Sequence, residues 1–342
     1  MVVVGRPGRS RMQNLRVVLA SRPQGPAAVE NFRLESAPMP VPREGEALVR
    51  NLWLSLDPYM RGRMSDAKSY VAGVGLGEVM VGQTVGEVLE SRDPGLRPGD
   101  KVVTSLGWQL HGVDRAAALE RIEPEGVPLS YYLGVLGMPG YTAYFGLKDV
   151  GQPKPGETVV VSAASGAVGS IVGQLAKIWG CRVVGIAGGK AKCDYVVNEL
   201  GFDACVDYKA GNLYRDLKAA CPDGVDVNFE NVAGIVLDTL LRLMNRNSRI
   251  VLCGLVSDYS ATEPYGYKMM RSVLINRITL RGIIVFDWHA RYGEALHALS
   301  GYLKEGRIRY RESVLDGLDE APRGLVELLA GGNFGKQLVR LA

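Results

Sequence analysis

The sequence predicts an α/β protein: a doubly wound parallel sheet inserted in a β-rich domain. Three observations lead there. Residues up to about 135 read as short strands separated by Gly/Pro turns, with no strong helical pattern. From Gly137-Met138-Pro139-Gly140 onward, apolar strands alternate with segments of helical periodicity. After about residue 308 the chain returns to short strands and one amphipathic helix at 322–329. Strands joined by helical crossovers imply parallel pairing with helices on both faces.

Composition sets the outer bounds. The 342 residues are 47% hydrophobic and 22% charged, an ordinary globular balance with room for about two domains. A net charge of +4, with no Lys/Arg block, argues against nucleic acid and suits a small anionic ligand. No apolar run approaches the length of a membrane span. The five cysteines, Cys181, Cys193, Cys205, Cys221 and Cys253, include no C-x-x-C pair. That spacing argues against a disulfide framework and a structural zinc site, and makes the cytoplasm the expected compartment.

In chain order, residues 1–13 are expected to be a loose tail, whose Val2-Val3-Val4 is too short for a signal-peptide core. Strands are expected at 47–54 and 82–89, and a Pro98-Gly99 turn feeds another at 101–103. The second region should hold strands at 158–161, 182–186, 204–207, 225–229, 249–253 and 278–285. Helical periodicity marks 235–244 and 291–304. Residues 14–136 and 306–342 would form one domain, and 137–305 a nucleotide-type domain inserted into it.

Val159-Val160-Val161 runs into Ser162-Ala163-Ala164-Ser165-Gly166-Ala167-Val168-Gly169. Val168, Ile171, Val172, Leu175, Ala176 and Trp179 then recur at helical spacing. A dinucleotide-binding Rossmann turn needs three small residues: for the turn, for backbone approach to pyrophosphate, and for helix packing. Ala164, Gly166 and Gly169 occupy those places, and the helix N-terminus offers N–H groups to phosphate. The other readings are a ligand-free turn or a hydrolase elbow around Ser165. The elbow would need glycine at 163 and 167, where alanine stands.

After the second strand, Ala187-Gly188-Gly189-Lys190-Ala191-Lys192 carries no carboxylate to bind a ribose 2′-hydroxyl. Two lysines there favour a 2′-phosphate, hence NADP(H) over NAD(H). They could also be solvated residues of the next helix. A catalytic zinc is not expected, because the first 180 residues contain no cysteine and one histidine, His111. A metal-free reduction needs a neutral hydrogen-bond donor at a developing oxyanion, and tyrosine suits.

Six stretches carry a resemblance: Leu56-Asp57-Pro58-Tyr59-Met60-Arg61, Met138-Pro139-Gly140-Tyr141-Thr142-Ala143-Tyr144, residues 163–169, Glu230-Asn231-Val232-Ala233-Gly234, Cys253-Gly254-Leu255-Val256-Ser257-Asp258-Tyr259 and Asn333-Phe334-Gly335-Lys336. Over about residues 14–342 the chain resembles the zinc-independent medium-chain dehydrogenase/reductases. Within them it is similar to the prostaglandin reductase, alkenal double-bond reductase and curcumin reductase group. The resemblance implies a Rossmann sheet inserted in a GroES-like domain, and a homodimer formed through the sheet edge.

It also implies roles. Gly166, Ala167, Val168 and Gly169 would lie against pyrophosphate. Gly188, Lys192 and Tyr208 would surround the 2′-phosphate, with Gly189 where serine is frequent and Lys190 able to compensate. Asn231 and Asn333 would contact cofactor, although Asn231 could instead cap the next helix. Cys253, Gly254, Leu255, Val256 and Ser257 form one flanking segment. Ile283, Ile284, Val285, Phe286, Asp287, Trp288 and His289 form the other, beside the nicotinamide. Tyr259 is expected at the substrate carbonyl and Tyr59 in the substrate pocket.

The expected activity is NADPH-dependent reduction of the C=C bond of α,β-unsaturated aldehydes or ketones. A quinone reductase, an alcohol dehydrogenase and a noncatalytic NADPH-binding protein remain as alternatives.

Overall fold

The computed structural model describes residues 13–124 and 126–342. The expected loose tail lies outside them except for Gln13, which opens the first strand.

Strands β1 (Gln13–Leu19) and β2 (Phe32–Pro38) pair antiparallel. Next come β3 (Glu46–Ser55), β4 (Thr84–Ser91), β5 (Lys101–Thr104), β6 (His111–Arg115) and β7 (Glu120–Ile122). The second region holds β8 (Thr158–Ser162), β9 (Arg182–Ala187), β10 (Ala204–Asp207), β11 (Val225–Glu230), β12 (Met244–Leu252) and β13 (Thr279–Gly282). The chain closes with β14 (Glu312–Asp316) and β15 (Lys336–Arg340).

The middle strands form one six-stranded sheet in the order β10-β9-β8-β11-β12-β13. Every neighbouring pair in it is parallel. This is the doubly wound order, with its switch point between β8 and β11, where such sheets bind ligands. The second large sheet runs β14-β15-β3-β4-β5-β7, so the last two strands complete the sheet begun by the first region. The Rossmann sheet is thus inserted in a GroES-like, mostly antiparallel one.

Burial explains the patterns. Val159, Val160 and Val161 are wholly buried, as befits a central strand covered on both faces. Ile171, Val172, Leu175 and Ala176 of helix Gly169–Ile178 are also wholly buried against it. One apolar cluster joins the two sheets, taking Val85 and Leu338 from one and Val161 and Phe229 from the other.

Two expectations need correction. The last parallel strand is Thr279–Gly282, not 278–285. Ile283 and Val285 are apolar because the chain turns inward there, into a 3-10 segment Val285–Arg291. The helix expected at 235–244 ends at Leu240, and Met244 opens β12. The first region also has a short helix, Tyr59–Arg63.

Candidate active site

The turn after β8 is tight without a glycine at its start. Ala163 adopts a left-handed backbone, φ 49°. A Cβ on Gly169 would stand 2.4 Å from the Ala163 carbonyl oxygen, so only glycine lets the helix pack this close. The Gly335 N–H donates to Ser165 O at 3.0 Å, tying the turn to the antiparallel sheet.

Beneath the turn lies a buried polar anchor. Glu230, at the end of β11, is wholly buried. Its Oε1 accepts from Ser162 Oγ at 2.5 Å and from the Val232 and Ala233 N–H groups at 2.8 and 2.9 Å. Asn228 Nδ2 donates to its Oε2 at 3.0 Å. Asn231 Nδ2 donates to Ser162 O at 2.8 Å, so it braces two strand ends and caps no helix. The Cys253 and Gly254 N–H groups donate to Glu230 O. The Val256 and Ser257 N–H groups reach Asn231 O and Val232 O. Residues 253–257 are therefore laid along the 230–232 segment.

Tyr259 folds back over this segment, its Oη accepting from Leu255 N–H at 3.5 Å. Burial raises its phenol above the ordinary range, so it carries its proton at neutral pH. Burial pushes the Cys253 thiol up to about 12. Tyr70, itself exposed, lies within electrostatic reach of Tyr59, Tyr259 and Cys253. Arg63 lies near Tyr59 and Tyr70, and its buried Nε has no hydrogen-bond partner among the described residues.

Tyr59 is positioned from below. Lys336, 1% exposed, donates to Asp57 Oδ1 at 2.7 Å and to Leu56 O at 2.9 Å. Ser55 Oγ donates to the other carboxylate oxygen of Asp57. This buried pair joins the Asp57-Pro58-Tyr59 stretch to the Gly335-Lys336 stretch, 279 residues apart in sequence.

At the far side of the turn, Gly188 sits against Tyr208 and Lys209. A Cβ there would come within 2.9 Å of the Tyr208 ring and 3.1 Å of Lys209 Cε. Lys192 Nζ donates to Gly331 O at 2.8 Å. Burial, then the Lys209 charge, holds its ammonium below the usual lysine range. Asp207 is close, but its Oδ1 accepts from the Gly189 and Lys209 N–H groups. Two ammonium groups and a phenol around a glycine suit a 2′-phosphate. Lys190 does not join them: it is exposed and pairs with Asp194, four residues on, at 2.6 Å.

The 283–289 segment divides. Trp288 faces the core, stacked on Phe145, and its Nε1 donates to Asp149 at 2.7 Å. Asp287 is exposed. Phe286 and His289 line a cavity of about 190 Å³ between the sheets, with Gln83, Glu120, Met138 and Tyr141. Asn333 Nδ2 donates to Gly335 O at 2.8 Å, shaping its own turn.

Arg63, Tyr70 and Lys209 were not singled out from sequence. Lys209 follows Tyr208 directly, a signal that was available. The other two lie in and after a short helix with no periodicity to mark them. Among the described residues no cluster of three or more His, Cys, Asp or Glu could hold a metal ion.

Comparison with known proteins agrees with this architecture. Residues 16–122 match a family described as the N-terminal domain of oxidoreductase, and residues 167–301 one described as zinc-binding dehydrogenase. The chain is 48% identical over 341 residues to the NADPH-dependent curcumin reductase of Escherichia coli (strain K12), covering 98% of this chain and 99% of that one. It is 44% identical over 300 residues to the NADP(+)-dependent 2-alkenal reductase of Nicotiana tabacum, 87% of this chain and 88% of that one. The crystal structure of CurA from Vibrio vulnificus in complex with NADPH superposes with a TM-score of 0.92 at 47% identity, covering 96% and 99% of the two chains. The chain belongs to the zinc-independent medium-chain dehydrogenase/reductases.

Proposed function

We propose that this protein is an NADPH-dependent reductase of the C=C bond in α,β-unsaturated aldehydes and ketones. The observation that carries the reading is the Tyr259 phenol. It stays protonated and folds over the 253–257 segment, beside the strand ends where an α/β sheet takes its ligand. The activities of the similar curcumin and alkenal reductases support it.

NADPH, when bound, supplies the hydride that adds to the substrate β-carbon. Gly166, Ala167, Val168 and Gly169 would receive the pyrophosphate at the helix N-terminus. Lys192, Tyr208 and Lys209 around Gly188 would hold the 2′-phosphate. Asn231, Asn333 and residues 253–257 would border the cofactor, as would Phe286 and His289. Tyr259 would donate a hydrogen bond to the carbonyl oxygen as enolate charge develops there, and Tyr59 and Tyr70 would wall the substrate.

We also infer the domain division at residues 137 and 305, and a homodimer. The exposed edge of β13 and the exposed Leu274, Ile275 and Leu280 support the dimer. The test of the mechanism is Tyr259→Phe. Loss of one such donor should lower kcat about 10²–10³-fold with little change in KM. An unchanged kcat would remove Tyr259 from the reaction.

A further inference from the structure

We infer that Cys193 and Cys205 form an oxidation site, a dithiol that hydroperoxides convert to an intramolecular disulfide, with loss of affinity for NADPH. The effect on affinity rests on the cofactor reading above; the disulfide itself does not. Cys193 lies in the first turn of helix Lys190–Asn198, and Cys205 is the second residue of β10. Their sulfur atoms are 2.8 Å apart. A disulfide needs about 2.05 Å, so the bond requires an approach of under about 1 Å. Both residues are partly exposed, whereas Cys181 and Cys221 are buried.

The pair is chemically unequal. The Cys205 thiol donates to Cys193 Sγ, which draws the Cys193 thiol below its ordinary value and pushes the Cys205 thiol up. Cys193, in a first helical turn whose free N–H groups favour a thiolate, is the nucleophile and Cys205, on the strand, the resolving thiol. The Cys193 thiolate attacks a hydroperoxide oxygen, cleaving the O–O bond. The sulfur becomes a sulfenic acid, and the alkoxide leaves and takes a proton as alcohol. Cys205 sulfur then attacks the sulfenic sulfur, forming S–S and releasing water. Two thiols and one hydroperoxide give one disulfide, one alcohol and one water.

The position of the pair gives the reaction its consequence. Cys193 follows Lys192, and Cys205 lies three residues before Tyr208 and four before Lys209. Drawing the helix turn and the strand together shifts the groups assigned to the 2′-phosphate relative to one another. Charge-assisted hydrogen bonds are short and directional, so such a shift weakens them. NADH, lacking that phosphate, should be indifferent.

The experiment uses the full-length protein, reduced and then treated with graded hydrogen peroxide. Peptide mapping without reductant follows the cross-link, and calorimetry follows NADPH and NADH binding. The expected result is a Cys193–Cys205 linked peptide at low peroxide, reversed by dithiothreitol. NADPH should bind roughly three- to tenfold more weakly, with NADH unchanged. In Cys205→Ser, a dimedone adduct should appear on Cys193. Oxidation at other cysteines first, or no adduct in Cys205→Ser, would overturn the site. A cross-link that leaves NADPH affinity unchanged would overturn the coupling. Failure of the reduced protein to bind NADPH would instead sink the cofactor reading, and the peptide map would still decide the dithiol.

Discussion

The two sides of the glycine turn are built on opposite principles. On one side Glu230 is wholly buried and takes four donors, two from backbone and two from side chains. On the other, Lys192, Tyr208 and Lys209 are partly or fully exposed, and Lys192 donates to a backbone carbonyl rather than to a carboxylate. A buried, satisfied network fixes backbone shape, because every member would be costly to leave alone. Exposed cations fix little of the fold and remain open to an incoming anion. Shape and selectivity are thus carried by different residues.

Substitutions can break that division. Glu230→Ala strands four buried donors at once. It should cost at least about 3 kcal/mol in urea unfolding, since each unpaired group costs roughly 1–3 kcal/mol. A loss below about 1 kcal/mol would mean the anchor is not structural. Lys192→Ala should leave unfolding within about 0.5 kcal/mol. It should weaken NADPH about tenfold to a hundredfold and spare NADH, as for one charge-assisted bond of about 1.5–3 kcal/mol. Equal loss for both cofactors would refute a 2′-phosphate role. Lys209→Ala should act in the same sense but by only about two- to fivefold, and Lys190→Ala not at all. An effect of Lys190→Ala matching that of Lys209→Ala would reverse the assignment.

Glu312 stands between the two kinds and sharpens the comparison at the smallest scale. Its Oε2 accepts from Ser130 Oγ at 3.0 Å, but its buried Oε1 has no hydrogen-bond partner among the described residues. Burial raises its carboxyl above the usual range. A raised folded value favours the fold in acid, and that contribution is lost as pH climbs through it. Glu312→Gln should therefore gain stability relative to the parent between about pH 4 and pH 7, by about 1 kcal/mol or less. No pH dependence in the difference would show that Glu312 is already satisfied.

The fold was legible where a single physical cause wrote the pattern. Strand β8 is buried on both faces and carries three successive valines, and the helix after it buries its whole first two turns. The same rule misled at Ile283-Ile284-Val285, where an apolar run belongs to a turn entering the core rather than to a strand. In the site, the turn at Gly166 and Gly169 was legible because strand, glycines and helix are contiguous. The second cation was misassigned, because Lys190 and Lys209 are equally near Lys192 in kind but not in space. An i,i+4 partner, Asp194, claims Lys190 locally, whereas Lys209 arrives from the next strand. Tyr70 comes near Tyr59 and Tyr259 only through tertiary packing, which no local spacing records.

The most direct test of the whole account is loss of NADPH absorbance with the purified protein. A medium-chain 2-alkenal, an enone, a saturated aldehyde and a quinone would each be offered with NADPH and with NADH. Turnover is expected of the two conjugated carbonyls alone, NADPH preferred, with the saturated carbonyl as product. Turnover of the quinone while the enal is ignored, or NADPH binding with no turnover of any acceptor, would contradict it.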